Sequence, residues 1–542
     1  MYCEKNTISA HLKSLRDAPE LPGGARTIRL SIPKWIILVI VSAAVLLLAD
    51  QRVISAADWY IDNAAGGMNN GTSWENAWRD FSDVVWGASG VKAGDTIYIS
   101  GGNFNSFRNY SGSLNIAASG AQDFPITIRP GQDAGHNGTV VFNGGPASCI
   151  TAYNRSYIVI DGNVGGAARF LFQNGVMGVW NALIDTSGMD HFIVRYCEFK
   201  TATIGLNSTY CVASEFDHNY FHDMRGEAAL RLDGSHGEGA EGPGWWDSNK
   251  IHDNIFLADA PSDGAGIATD QIQGTSALSI YNNIIEYQPG PNYGWQHPDG
   301  CQVSGNYNKI YSNRFRNCPN AAVSMDYGGS SNGHYYIYNN VIECTVASWS
   351  GYMKAWDLNM QSPGMVVDDM LFANNTVCGI NHTHTIAVHV WDPSIRLTNW
   401  KIMNNIFYQC GEMGGGTVIL IDRGDYAMGV DVVIDYNLLN DGGQGGKVID
   451  IGGQKYTQPH PRENTPQFVS YTYRGAYNDY HLQPADSGAR GRGISLSSIF
   501  TTDRDGSGRS SGAAWDIGAY ESGASSSSRR TLSAPRDLRI TK

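Results

Sequence analysis

The chain is poor in charge: Asp, Glu, Lys and Arg make up 16% of its 542 residues. Disordered chains combine high charge with few aromatics, and 14 Trp, 28 Tyr and 17 Phe place this sequence elsewhere. A positive excess is also missing. The formal charge is −13, which excludes the basic face that nucleic acid requires. The nine cysteines contain no Cys-x-x-Cys pair and no Cys/His ligand spacing, so a cysteine-type metal centre is not expected. Helical periodicity is absent as well. With 64 Gly and many Asn-rich, β-branched segments, a helical protein is excluded by propensity.

No apolar run reaches the roughly 20 residues of a membrane span. The run at 35–49, WIILVIVSAAVLLLA, follows Arg26, Arg29 and Lys34 and precedes Ser55 and Ala57. Small residues in those two places suit a signal-peptidase site. Residues 1–57 are read as an export signal, with an uncleaved N-terminal anchor as the alternative and the only route to a membrane. Either way the body is secreted or displayed at the cell surface. Cys3 leaves with the signal, and the other eight cysteines lie in or beside apolar strand-like runs. They read as small buried hydrophobes in preference to disulfides.

What the sequence does have is a repeat. An Asn, often paired, followed by one residue and then an apolar one recurs at Asn219, Asn254, Asn283, Asn313, Asn340, Asn375, Asn405 and Asn437. The spacings are 35, 29, 30, 27, 35, 30 and 32 residues. One step upstream, RYCEF fits the same frame with Cys197 in the Asn place. The intervals hold short alternating runs broken by Gly, Asn, Asp or Pro, which predicts a coil of short parallel strands. In such a coil the marker Asn side chains can stack as an amide ladder at a bend.

The body resembles right-handed parallel β-helix proteins of the pectate-lyase-like superfamily. The resemblance rests on its opening, DWYIDNAAGGMNNGTSWENAWRDFSDVVWGASGVKAGDTIYISGGNF (58–104), and its close, YHLQPADSGARGRG with WDIGAYE (480–521). It implies an all-β, single-stranded solenoid with inserted loops and a short N-terminal capping helix over 58–521. Residues 522–542 form a Ser-rich linker and a tail, LSAPRDLRITK, similar to the first strand of a fibronectin type III module. The superfamily holds lyases, hydrolases, epimerases and non-catalytic shafts, so the resemblance fixes no reaction.

Side chains on a strand alternate between faces, and equal offsets in successive turns form columns. Six segments align after the marker Asn residues: 228–234, 265–271, 297–303, 321–327, 351–357 and 386–392. This alignment turns Leu230, Ile267, Cys301, Val323, Met353, Ala355 and Val388 inward. Outward it puts Arg231, Asp233, Asp270, Gln302, Asp326, Lys354, Trp356, His389 and Trp391, with His297 and Asp299 at the preceding corner. A strip this rich in acid, base and aromatic groups suits a polysaccharide groove. Trp295, Trp356 and Trp391 would stack on sugars, while Asp233, Gln302 and His389 would bond to hydroxyls.

The chemistry stays open between three readings. Paired Asp270, Asp299 and Asp326 would serve a glycoside hydrolase. Lys354, His297 or Arg231 as base or neutraliser, with Ca²⁺ possible on clustered Asp, would serve a lyase acting by β-elimination. The strip's basic residues slightly favour the lyase. A non-catalytic sugar-binding adhesin is the third reading. HPDGCQ (297–302) is similar to HxDGxQ strings of carbohydrate-active β-helices, through His297, Asp299, Gly300 and Gln302. The acidic, Gly-rich stretch 235–247 reads as a loop lining the groove, and HTH (382–384) as an exposed loop. A monomer with a polysaccharide as its only partner is expected.

Overall fold

Short alternating runs can each add only one strand to a neighbour, so a chain made of them must coil. The computed structural model describes residues 56–175, 181–258, 270–288, 298–327, 332–346, 353–411, 416–422, 430–443 and 446–522. The proposed export signal, the tail, Ile267, Trp295 and His297 lie outside the described residues, as does the side chain of Asp326.

Three long sheets run through the described residues, with 13, 13 and 12 strands. One turn shows the path. Ile204–Thr209 lies in sheet I, Glu215–Asp217 in sheet II and Tyr220–His222 in sheet III, and Ala228–Leu232 returns to sheet I. Pairing between successive turns is parallel throughout, for example Leu206 with Leu230 and Leu230 with Ile272. Sheet I ends in an antiparallel hairpin, Val448–Ile451 with Gln454–Tyr456. The protein is a right-handed parallel β-helix. The expected capping helix is reduced to a 3-10 turn, Phe81–Asp83, with Asp80 as its N-cap.

The interior is filled by columns of like residues. Phe81, Phe142, Phe172, Phe199, Phe221 and Phe256 stack with centroids 4.4–5.5 Å apart. Each fully buried Phe contributes roughly 1.5–3 kcal/mol. The eight described cysteines are buried, as apolar strand residues should be.

The marker Asn residues occupy the corner between sheets II and III. The residue before each of the eight, from His218 to Tyr436, has a positive φ of 52–57°. That bend would orphan backbone groups, and the ladder satisfies them. Asn283 Nδ2 donates to Asn313 Oδ1 (3.0 Å) and to the Ile251 carbonyl (2.9 Å), and the Asn283 N–H also reaches Asn313 Oδ1. The pattern runs from Cys197, whose N–H donates to Asn219, to Asn437, capped by Gln458.

The segment after Phe468 folds back over this corner. Asn339, Asn374 and Asn404 donate to the carbonyls of Thr502, Asp516 and Ile494. Arg509, fully buried, pairs with Glu521 at 2.8 Å. In a three-sided coil this corner lies opposite sheet I. Among the described residues, the strap therefore lies away from the outward face of sheet I.

Candidate active site

The outward face of sheet I is built from strand registers. Arg231 pairs with Gln273, Gln273 with Gln302, Gln302 with Ser324 and Ser324 with Asp357. Two residues along, Asp326 pairs with Asn359, Asn359 with His389 and His389 with Asp422. Arg231, Gln302 and His389 thus belong to the two outward columns, and the Asp326 backbone is in register with Asn359.

The register departs from the sequence alignment in places, and the departures decide two residues. Ala321 pairs with Lys354, three residues from the alignment, and an odd slip reverses the face. Trp356 is therefore an inward residue. It is 1% exposed and stacks between Phe372 and Trp400, both at 5.7 Å. It cannot meet a sugar, which corrects its expected role as a platform. Likewise Ala228 pairs with Asp270, five residues from the alignment. Asp270 is 8% exposed and Asp299 0%.

Asp270, Asp299 and Lys354 nevertheless meet in one hydrogen-bonded chain along the corner that leads into sheet I. Gln273 Nε2 donates to Asp270 Oδ2 (2.9 Å), and Asp270 Oδ1 accepts the Asp299 N–H (2.7 Å). Asp299 Oδ1 accepts the Ala321 N–H and Asn320 Nδ2, each at 2.9 Å. Asn320 Oδ1 is 3.4 Å from Lys354 Nζ, which also donates to Asp357 Oδ2 at 2.5 Å. The two aspartates act here as acceptors for backbone N–H groups of the following turn. Arg231 is tied to Asp233 by Nε (2.7 Å), with Glu227 at 3.7 Å.

The structure adds two residues beside Lys354. His384 begins the next strand of sheet I, His384–Val390, and the register of that strand puts it level with Lys354. His382 lies two residues earlier. Its ring is held neutral, with its pKa lowered to about 4 by burial and then by the Lys354 charge. The His384 N–H donates to His382 Nδ1 at 3.0 Å. Burial, His389 and Lys354 lower the His384 pKa as well. The HTH string was visible in the sequence, but its offset from Lys354 was not, because the register after 351–357 was not. The assembled group is a cation anchored by Asp357, with two imidazoles that stay neutral at pH 7 and can accept a proton.

The face also carries exposed aromatics. Trp391 is 64% exposed and stacks on His389 at 5.8 Å. Tyr153, 50% exposed, shares a column with Ser187 and Thr209. Eight strand steps separate the Tyr153 strand from the His389 strand, about 38 Å at roughly 4.8 Å per step. Tyr210, 63% exposed, flanks the same face.

No family model matches the sequence, and no curated protein matches it. Solved structures do. The complex of XylC with xylose is similar at 10% identity and TM-score 0.52, covering 86% of this chain and 98% of that one. The pectate lyase Pel9A is similar at 12% identity and TM-score 0.41, covering 86% of this chain and 96% of that one. The PL6 family alginate lyase AlyGC is similar at 15% identity and TM-score 0.40, covering 70% of this chain and 52% of that one. At these identities the likeness is one of fold, carried by the XylC structure.

Proposed function

We propose that the chain is an exported enzyme that binds a polysaccharide along the outward face of sheet I and cleaves it by β-elimination at a uronic acid. The observation that carries this reading is Lys354, anchored by Asp357 and level with two imidazoles kept neutral, at the corner that leads into a polar face with exposed aromatics towards both ends. β-Elimination needs a positive group to neutralise the sugar carboxylate as the adjacent proton leaves. Lys354 supplies that charge, and neutral His384, with His382 behind it, accepts the proton. The leaving glycosidic oxygen departs with the bonding pair, and a double bond forms in the sugar. Tyr153 and Trp391 are apolar platforms for sugar rings some 38 Å apart, a length for several units in line with the coil axis. The sugar in the XylC complex is in keeping with a β-helix of this size as a carbohydrate binder.

Hydrolysis would need two carboxyls at the scissile bond. Asp270 and Asp299 are buried, each with one carboxylate oxygen accepting a backbone N–H, which favours elimination. Ca²⁺ held on the strip would bridge it to the sugar carboxylates, and chelator tests this. The deciding experiment is incubation with a panel of uronic-acid polysaccharides, following ultraviolet absorbance of unsaturated products alongside reducing ends. Both should rise together and be lost in Lys354→Met. Reducing ends without absorbance would replace the lyase with a hydrolase. Binding without either would make the protein an adhesin.

A further inference from the structure

Away from sheet I, the outward face of sheet II gathers three groups that the proposed reaction does not use. Glu215 and Asp217 stand two apart on the strand Glu215–Asp217 and so share a face. His252 lies on the next strand and is register-paired with Asp217. One ligand atom from each of the three lies within 4.8 Å of the others. Ligand atoms on a tetrahedral ion with bonds of about 2.0–2.2 Å are about 3.3–3.6 Å apart, so side-chain adjustments of up to about 1 Å close the set.

The imidazole is oriented as in many metal sites. Asp253 Oδ2 lies 2.8 Å from His252 Nδ1, which fixes the ring and leaves Nε2 facing Glu215 Oε1 at 2.8 Å. A carboxylate on the far nitrogen is the usual partner of a metal-bound His. The Tyr281 ring stacks on the other side at 4.6 Å. The side chains of His252 and Asp217 are 12% and 7% exposed, and that of Glu215 is 35% exposed. An ion would thus be held from the protein side and remain open to water. Three features compete with it: the proton on His252, the contact of His218 Nδ1 with Asp217 at 2.5 Å, and Lys250 as register partner of Glu215.

We infer that Glu215, Asp217 and His252 form a site for a divalent transition ion of the zinc or manganese type, which cross-links two adjacent turns of the coil. One nitrogen and two carboxylates suit such an ion better than calcium, which takes oxygen ligands. The site is on a different sheet from Lys354 and plays a structural part.

A nearby bracket supplies the control. His222 also bridges two carboxylates, Glu198 at 3.0 Å and Asp223 at 2.9 Å, but among the described residues no third ligand group joins it. A second set, Asp190, His191 and Glu238, is more exposed and is removed by His191→Gln. Calorimetric titration of the full chain with Zn²⁺ and Mn²⁺ should show one equivalent that persists in His222→Gln and His191→Gln. In His252→Gln and the near-isosteric Glu215→Gln it should weaken at least tenfold. The same ions should raise Tm in wild type and not in those two variants. If folded Glu215→Gln or His252→Gln binds both ions as wild type does, or wild type binds neither, the inference is overturned.

Discussion

Raising the pH should unfasten the His222 bracket, and the size of the loss follows from its surroundings. His222 points outward from sheet III, with Lys200 as register partner on the preceding strand and Leu257 on the next. The Tyr220 ring stacks on it at 4.3 Å. Burial opposes the charged imidazole, but hydrogen bonds to Asp223 and Glu198 outweigh it and raise the pKa from 6.5 to about 9. Because the folded value lies above the unfolded one, the stabilisation is complete below about pH 6.5 and is lost as pH rises through about 9. The rise corresponds to about 3 kcal/mol, and the side chain is only 13% exposed, so little of this is screened away. His222→Gln should therefore destabilise by about 2–3 kcal/mol at pH 6 and by less than about 1 kcal/mol at pH 10. Denaturant unfolding of wild type and variant at both pH values measures the difference. An equal penalty at pH 6 and pH 10 would refute the reasoning.

The other predictions concern the site and the coil. Lys354→Met and His384→Ala should each lower kcat at least about a hundredfold, in the range of lost general acid–base groups; Lys354→Met also strands the buried Asp357 carboxylate and should lower Tm. Trp356→Ala should cost about 3–5 kcal/mol of stability as a buried aromatic cavity, whereas Trp391→Ala should raise KM and leave the unfolding midpoint unchanged. Equal effects of these two substitutions would contradict the assigned faces. Asn313→Ala, in mid-ladder, should cost about 1–3 kcal/mol by orphaning buried N–H and C=O groups, as read from the denaturation midpoint.

The candidate site was partly legible from sequence because Lys354, His389 and Trp391 stand in runs whose polar residues are conspicuous. Three features were not legible, and each has a physical cause. Asp299 looks like a catalytic carboxyl within HPDGCQ, yet its oxygen meets the Ala321 N–H of the following turn. The value of that contact depends on stacking between turns and not on neighbours in the chain. Trp356 looks like a sugar platform until Ala321 is found opposite Lys354, since a slip of three residues exchanges core and surface. His384 joins Lys354 only through the same register.

By itself the sequence determined the repeat, and with it the coil. An Asn every 27–35 residues can be buried at a bend only if the same residue in the next turn answers its amide. Short apolar alternations between bends leave nothing else for the chain to build. The length of each turn was also set there, as was the burial of the cysteines in apolar runs. The tertiary structure alone decided which residues stand opposite one another, because the loops between marker and strand vary in length and conceal the register. Facing in a β-strand has a period of two, so that uncertainty of a few residues was enough to hide which side chains reach the solvent and which lie in the core.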